Sequence, residues 1–306
     1  MSRKLISFDW AMKKLLRSKA NFEILEGFLS ELLKDNIQIL DILESESNKA
    51  SARDKYNQVD FKVRNQNNEI IIIEVQYEHE FDYLQRILFG TSKVIVEHLD
   101  EGEPYSKISK VISVNILYFD LGQGADYVYY GTTTFRGLHL QDTLKLSKNQ
   151  REFYKKDGVC EIFPEYYLIK VNSFDDIAKD TLDEWIFFLK NEEIKDNFKA
   201  KGLKKARQEL DVLKLPEKDR LAYEKYKNDQ HYQASMTESS YGFGKWEGRK
   251  EGIQEGRKEG IQEGMKKQKL EIATNLLAAS TLDAKTIATM TSLTLQELEE
   301  LKEKVA

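Results

Sequence analysis

Residues 68–82 read NEIIIIEVQYEHEFD, and the fold turns on what this stretch becomes. Ile70 to Ile73 make an unbroken apolar run of strand length, the pattern of a strand covered on both faces. The run then meets Glu74, Val75 and Gln76. Side chains two apart on a strand share a face, so the carboxylate and the amide leave it on the same side. A core strand that finishes this way needs a chemical reason for its polar end.

Working upstream, YNQVDFKV alternates, with Val59, Phe61 and Val63 on one face and Asp60 and Lys62 on the other. Asn65 to Asn68, NQNN, is turn-forming, so an antiparallel hairpin is the short connection. A turn centred on Asn67 sets Asp60 opposite Glu74, with Cβ atoms about 4.5–5.5 Å apart. Two carboxylates that close repel one another and lose hydration. A divalent cation relieves both costs, and Mg²⁺ takes one or two carboxylates plus waters and phosphate oxygens. Alternatively, Glu74 pairs with Lys62 or Lys55 in a cross-strand salt bridge. A slip of one residue would put the two acids on opposite faces.

Upstream again, Phe22, Leu25, Leu29 and Leu32 recur at helical spacing, and IQILDILES follows as a strand. Glu46 to Lys55 reads as a loop. Downstream, Phe81, Leu84, Leu88, Ile95 and Leu99 predict a long helix, and VISVNILYFDL (111–121) predicts another buried strand. The core order is helix, three strands, helix, strand. Residues 126–190 continue as mixed strand and helix, ending in a helix around DTLDEWIFFLKN.

The bulk composition narrows the function classes. A net charge of −5 over 306 residues gives no global attraction for nucleic acid or anionic membrane, so such a partner must meet local basic patches. One such patch is KDNFKAKGLKKAR (195–207). Cys160 is the single cysteine, which excludes intrachain disulfides and thiolate-clustered metal sites. No run approaches the roughly 20 apolar residues of a membrane helix, and the N-terminal residues lack a signal-peptide core. The expectation is a soluble, cytoplasmic protein with no membrane partner.

After residue 240 glycine recurs at every fourth position, 244 to 264, and the octet GRKEGIQE occurs twice. Each helical glycine costs about 1 kcal/mol relative to alanine, so this is either a face for close helix contact or a weakly helical spacer. The tail predicts two or three short helices, with Thr294 and Glu297 matching a capping box. Its last helix is acidic, which favours packing or homo-oligomerisation over reading a DNA groove.

Taken together, DKYNQVDFKV, EIIIIEVQYEHEFDYLQRILFGTSK, KVISVNILYFDLGQGADYVYYG, IFPEYYLIKVNSFDD and LDEWIFFLKN resemble the PD-(D/E)xK nuclease family transposases, also called recombination-promoting nucleases. The glycine–glutamate repeat and the IATMTSLTLQELEEL tail are similar to that family as well. The resemblance implies an α/β fold with a restriction-endonuclease-like core and a C-terminal helical appendage. The expected segments are a nuclease-like domain over 1–190, a charged helical region over 191–240, the glycine repeat over 241–268 and a small helical tail over 269–306.

The implied activity is Mg²⁺-dependent DNA endonuclease chemistry, with Mn²⁺ also usable, linked to recombination or mobile elements. Asp60 and Glu74 would be metal ligands. Gln76 stands where the superfamily's commonest motif has lysine, and an amide can only hydrogen-bond where an ammonium also brings charge. The alternative is a nuclease fold with little or no turnover, acting as a DNA-binding or assembly module. Glu26 sits at the edge of its helical stripe and is a further catalytic candidate, and His79 is a candidate ligand or phosphate contact. Candidate DNA contacts are Arg86, Lys93, Lys201, Lys204, Lys205 and Arg207, each alternatively a solvated helix charge.

Overall fold

The computed structural model describes residues 5–43, 61–279 and 282–305. Along it run α1 (Phe8–Lys14), α2 (Phe22–Leu33), β1 (Ile39–Ile42), β2 (Phe61–Asn65), β3 (Ile70–Gln76) and α3 (Tyr83–Glu97). There follow β4 (Val111–Leu117), β5 (Val128–Gly131), α4 (Lys148–Tyr154), β6 (Glu165–Lys170), α5 (Thr181–Asn191) and α6 (Leu203–Glu209). The chain finishes with α7 (Glu217–Ala279), α8 (Ala284–Thr291) and α9 (Leu295–Val305).

The six strands form one sheet in the order β1-β2-β3-β4-β6-β5. β3, β4 and β6 are mutually parallel, and the remaining pairs are antiparallel. β3 lies between β2 and β4, as its four isoleucines require. Ile71, Ile73 and Val75 enter a core built with α1, α2, α5 and α6. Ile70 and Ile72 face the other way, onto Val94 of α3 and Val111. Each buried isoleucine contributes roughly 1.5–3 kcal/mol, which anchors the strand on both sides.

The β2–β3 hairpin has the expected register. Its described pairs, from Phe61↔Ile73 to Arg64↔Ile70, are symmetric about position 67. Asn65 Oδ1 accepts the N–H groups of Asn67 (3.1 Å) and Glu69 (2.8 Å), and Asn68 takes the left-handed conformation that asparagine tolerates. The turn chemistry therefore sets the ladder.

α3 differs from expectation. The stripe Phe81, Leu84 and Leu88 points to solvent, and the sheet-facing residues are Tyr83, Ile87, Gly90, Thr91 and Val94. The cause lies beneath the helix, where Ser113, Glu74 and Asn115 are buried on that side of the sheet. Small and hydroxyl-bearing residues can cover such groups, whereas a leucine stripe would leave them without partners.

Two compact units divide the chain, Met1–Gln230 and His231–Ala306. The first runs well past the expected boundary at 190, because Leu203, Ala206, Leu210 and Tyr223 are buried in the main core. In the second, Ala273 of α7, Ile287 of α8 and Leu298 of α9 share a small core. The capping box is present there, with Glu297 N–H donating to Thr294 Oγ1 (3.2 Å) and Thr294 N–H to Glu297 Oε2 (2.9 Å). The glycine repeat is continuous helix within α7, and no neighbouring atom lies within 4 Å of where a Cβ would stand. Among the described residues no helix is long and apolar enough to cross a membrane.

Candidate active site

Glu74 sits near the end of β3 on the α3 side and is 7% exposed. Asn115 is its neighbour on β4. The Tyr83 hydroxyl donates to Asn115 Oδ1 (3.1 Å) and reaches Glu74 Oε2 at 3.5 Å. Asn115 Nδ2 in turn donates to Ser113 Oγ (3.0 Å) and the Tyr167 carbonyl (3.3 Å). A methyl group at Gly90 of α3 would stand 3.8 Å from Glu74 Oε1, so glycine leaves open space over the carboxylate. The result is a mostly buried acid steadied by a hydroxyl and flanked by an amide.

Gln76, one step further out on the same face, donates from Nε2 to Glu80 Oε1 (2.9 Å). Arg86 Nη1 donates to that same oxygen (2.6 Å), and its guanidinium carbon lies 6.0 Å from the centre of the Tyr83 ring. Burial works against the charged form of Arg86. The Glu80 bond and the negative charges of Glu74 and Glu80 outweigh it, so the guanidinium is held above its ordinary value. Glu74, Gln76, Glu80, Tyr83, Arg86 and Asn115 form one polar cluster at the end of the central strands.

The other expected residues are distributed differently. Asp60 lies outside the described residues. Glu26 accepts the Ile39 N–H at 2.8 Å, binding α2 to the start of β1. Ile39 pairs with Asn65 at the turn end of the hairpin, where Asn65 faces Glu69, roughly 17 Å along the strands from Glu74 at about 3.3 Å per residue. The apolar residues of α2 also pack on the opposite face of the sheet. Glu26 is therefore not brought to Glu74, because its carboxylate joins helix to strand.

Lys93 faces Glu97 at 3.7 Å, and Lys62 reaches the same glutamate at 3.5 Å. The His79 ring packs against Phe81 and Phe119, at 4.8 and 5.3 Å between centres. The basic patch belongs to α6 and the chain before it, on the α2 side of the sheet. There Lys201 Nζ donates to Asn36 Oδ1 (2.7 Å), Lys205 pairs with Glu209 (3.3 Å), Arg207 pairs with Asp196 (2.5 Å), and Lys204 is exposed. Those four cations do not line the cluster around Glu74.

Sequence reasoning missed Tyr83, Glu80 and Asn115. A signal for Asn115 was present. In VISVNIL, Ser113 and Asn115 interrupt an apolar strand at a spacing of two, as Glu74 and Gln76 do in β3.

The site's donors are carboxylate and amide oxygens, without a histidine or thiolate among the residues that meet at Glu74. Such hard donors suit Mg²⁺ or Mn²⁺. Among the described residues no group of three or more His, Cys, Asp or Glu side chains is placed to hold a metal ion. Any such site built on Glu74 must draw on ligands beyond these, water and substrate oxygens included.

A family model described as PD-(D/E)XK nuclease family transposase matches residues 6–239. Comparison with curated proteins and with solved structures gives no match.

Proposed function

The chain belongs to the PD-(D/E)XK nuclease family transposases, and from that premise we propose a metal-dependent DNA endonuclease that hydrolyses phosphodiester bonds, linked to recombination or mobile elements. The observation that carries this reading is Glu74, a mostly buried carboxylate mounted on the central strand beside an amide and a guanidinium. Asp60 and Glu74 are the proposed ligands. A divalent cation held by them supplies charge that lowers the pKa of water and offsets negative charge on the phosphate.

The chain's own groups do the positioning. The Tyr83 hydroxyl and the walls of β4 fix the rotamer of Glu74, and the Gln76 amide orients a water by hydrogen bonding. In the overall reaction, oxygen from water forms a new P–O bond while the ester P–O bond breaks. Water gives up its proton to solvent, and the leaving oxygen takes one up. The single cysteine fits a protein of the reducing cytoplasm acting on DNA.

The test is nicking of supercoiled plasmid across Mg²⁺ and Mn²⁺. Wild-type protein nicks, EDTA stops it, and Asp60→Ala and Glu74→Gln each lower the rate at least about 100-fold. Equal nicking by wild type and both variants would exclude this site.

One observation favours an assembly role beside this activity. Met236, Phe243, Trp246, Ile253, Ile261 and Met265 are exposed on α7, and at about 100° per residue they fall within an arc of about 120°. Residues 231–268 carry seven cations and six anions, a balance that suits a second copy of the same helix better than a polyanion. Self-association along this seam would also offset the cost of the glycines.

A further inference from the structure

Hydrolysis of a phosphodiester builds negative charge on the non-bridging and leaving oxygens, and stabilising that charge is the largest service a site can offer. Glu74 brings a negative charge and Gln76 none. Among the described residues, Arg86 is a cation tied to Gln76 through Glu80. Its Nη1 and the Nε2 of Gln76 meet on a single oxygen, Glu80 Oε1, at 2.6 and 2.9 Å. Its planar fork carries five donors, and among the described residues Glu80 takes the hydrogen bond that the fork makes.

We infer that Arg86 is the phosphate-facing cation of this site, standing in for the charge that the amide at position 76 lacks, and that Glu80 is its positioning residue. This rests on the nuclease reading above. Arg86 stays charged at any working pH, and Tyr83, close to the guanidinium and to Glu74, keeps it near the carboxylate. Glu80 accepts from the fork through one oxygen, so donors remain for a bidentate hold on phosphate. Lys93, two turns further along α3 and paired with Glu97, has no comparable tie to Gln76.

The experiment moves the charge between the two positions in the full chain. Wild type, Arg86→Ala, Arg86→Gln, Arg86→Lys, and Arg86→Ala combined with Gln76→Lys are compared for plasmid nicking in Mg²⁺. Duplex binding is measured separately in EDTA as a function of salt. Arg86→Ala and Arg86→Gln should each lose about 100-fold in nicking, Arg86→Lys should keep part of it, and Gln76→Lys should restore Arg86→Ala at least about tenfold. In EDTA the slope of log K against log salt should fall by about 0.9 in Arg86→Ala, the loss of one phosphate contact, and return in the double variant. Arg86→Gln keeps a donor for Glu80, so it covers the case in which the alanine variant misfolds.

Nicking that depends on Glu74 but is unchanged by both Arg86 substitutions overturns this inference and leaves the nuclease reading standing. A loss that Gln76→Lys does not restore, or an unaltered salt slope, overturns it as well. If wild type shows no nicking dependent on Glu74, the nuclease reading itself falls and this inference falls with it.

Discussion

At Tyr83 a single hydroxyl reaches both Asn115 and Glu74, which makes it the smallest unit on which the site depends. Removing it leaves the Asn115 oxygen buried, with the loss of its hydrogen bond from this tyrosine, and loosens the carboxylate. An unsatisfied buried acceptor costs about 1–3 kcal/mol. Tyr83→Phe should therefore lower stability by that amount in denaturant unfolding. It should slow nicking about tenfold, less than removal of Glu74 itself. A variant with wild-type stability and rate would mean that Tyr83 does not steady the acid. Nothing local marks this tyrosine, because in HEFDYLQR it reads only as one more apolar helix residue.

Among the elements, α2 and α6 show how closely the layer opposite the site is packed. Gly27 of α2 meets Gly202, the residue that opens α6, and a Cβ at Gly27 would fall 2.3 Å from the Lys201 carbonyl oxygen. Gly202 is itself in the left-handed region, with φ at 83°. Backbone cannot move aside as a flexible side chain can, so overpacking here should cost about 1–3 kcal/mol. Gly27→Ala should shift the unfolding midpoint accordingly, and a neutral result would refute the close approach. The same contact explains the fate of the basic patch. Leu203 and Ala206 are drawn into the core, and that fixes the lysines around them on the α2 side. A count of charges along 195–207 shows a basic segment but not the side of the sheet on which it lands.

For the whole molecule, the notable feature is a 63-residue helix. Seven glycines from Gly242 to Gly264 have open space around them, and each costs about 1 kcal/mol relative to alanine. A helix carrying that burden is better explained if its exposed apolar seam is covered. Light scattering on the full chain should report more than one copy. Phe243→Glu with Ile261→Glu should shift it to the monomer. A wild-type protein that is already monomeric would remove self-association along α7.

Much of the fold was legible because it rests on local rules. The Ile70–Ile73 run and the asparagine turn identify β3 and the hairpin register, since alternation and turn chemistry are properties of neighbouring residues. The stripe on α2 and the Thr294–Glu297 cap follow for the same reason. Glu74 and Gln76 stand out because polar side chains at the end of such a strand break its pattern. What lies across space was not legible. Periodicity on α3 finds an apolar stripe at Phe81, Leu84 and Leu88, yet the helix turns Tyr83, Gly90 and Thr91 inward because the sheet beneath is polar. Glu26 shares an edge with its helix stripe, and only the pairing of Ile39 with Asn65 decides that it serves β1. The sequence by itself determined which strand carries the acid and in what register it pairs. The tertiary structure decided which groups gather around that acid, because each face of a helix is chosen by what its neighbours leave unsatisfied.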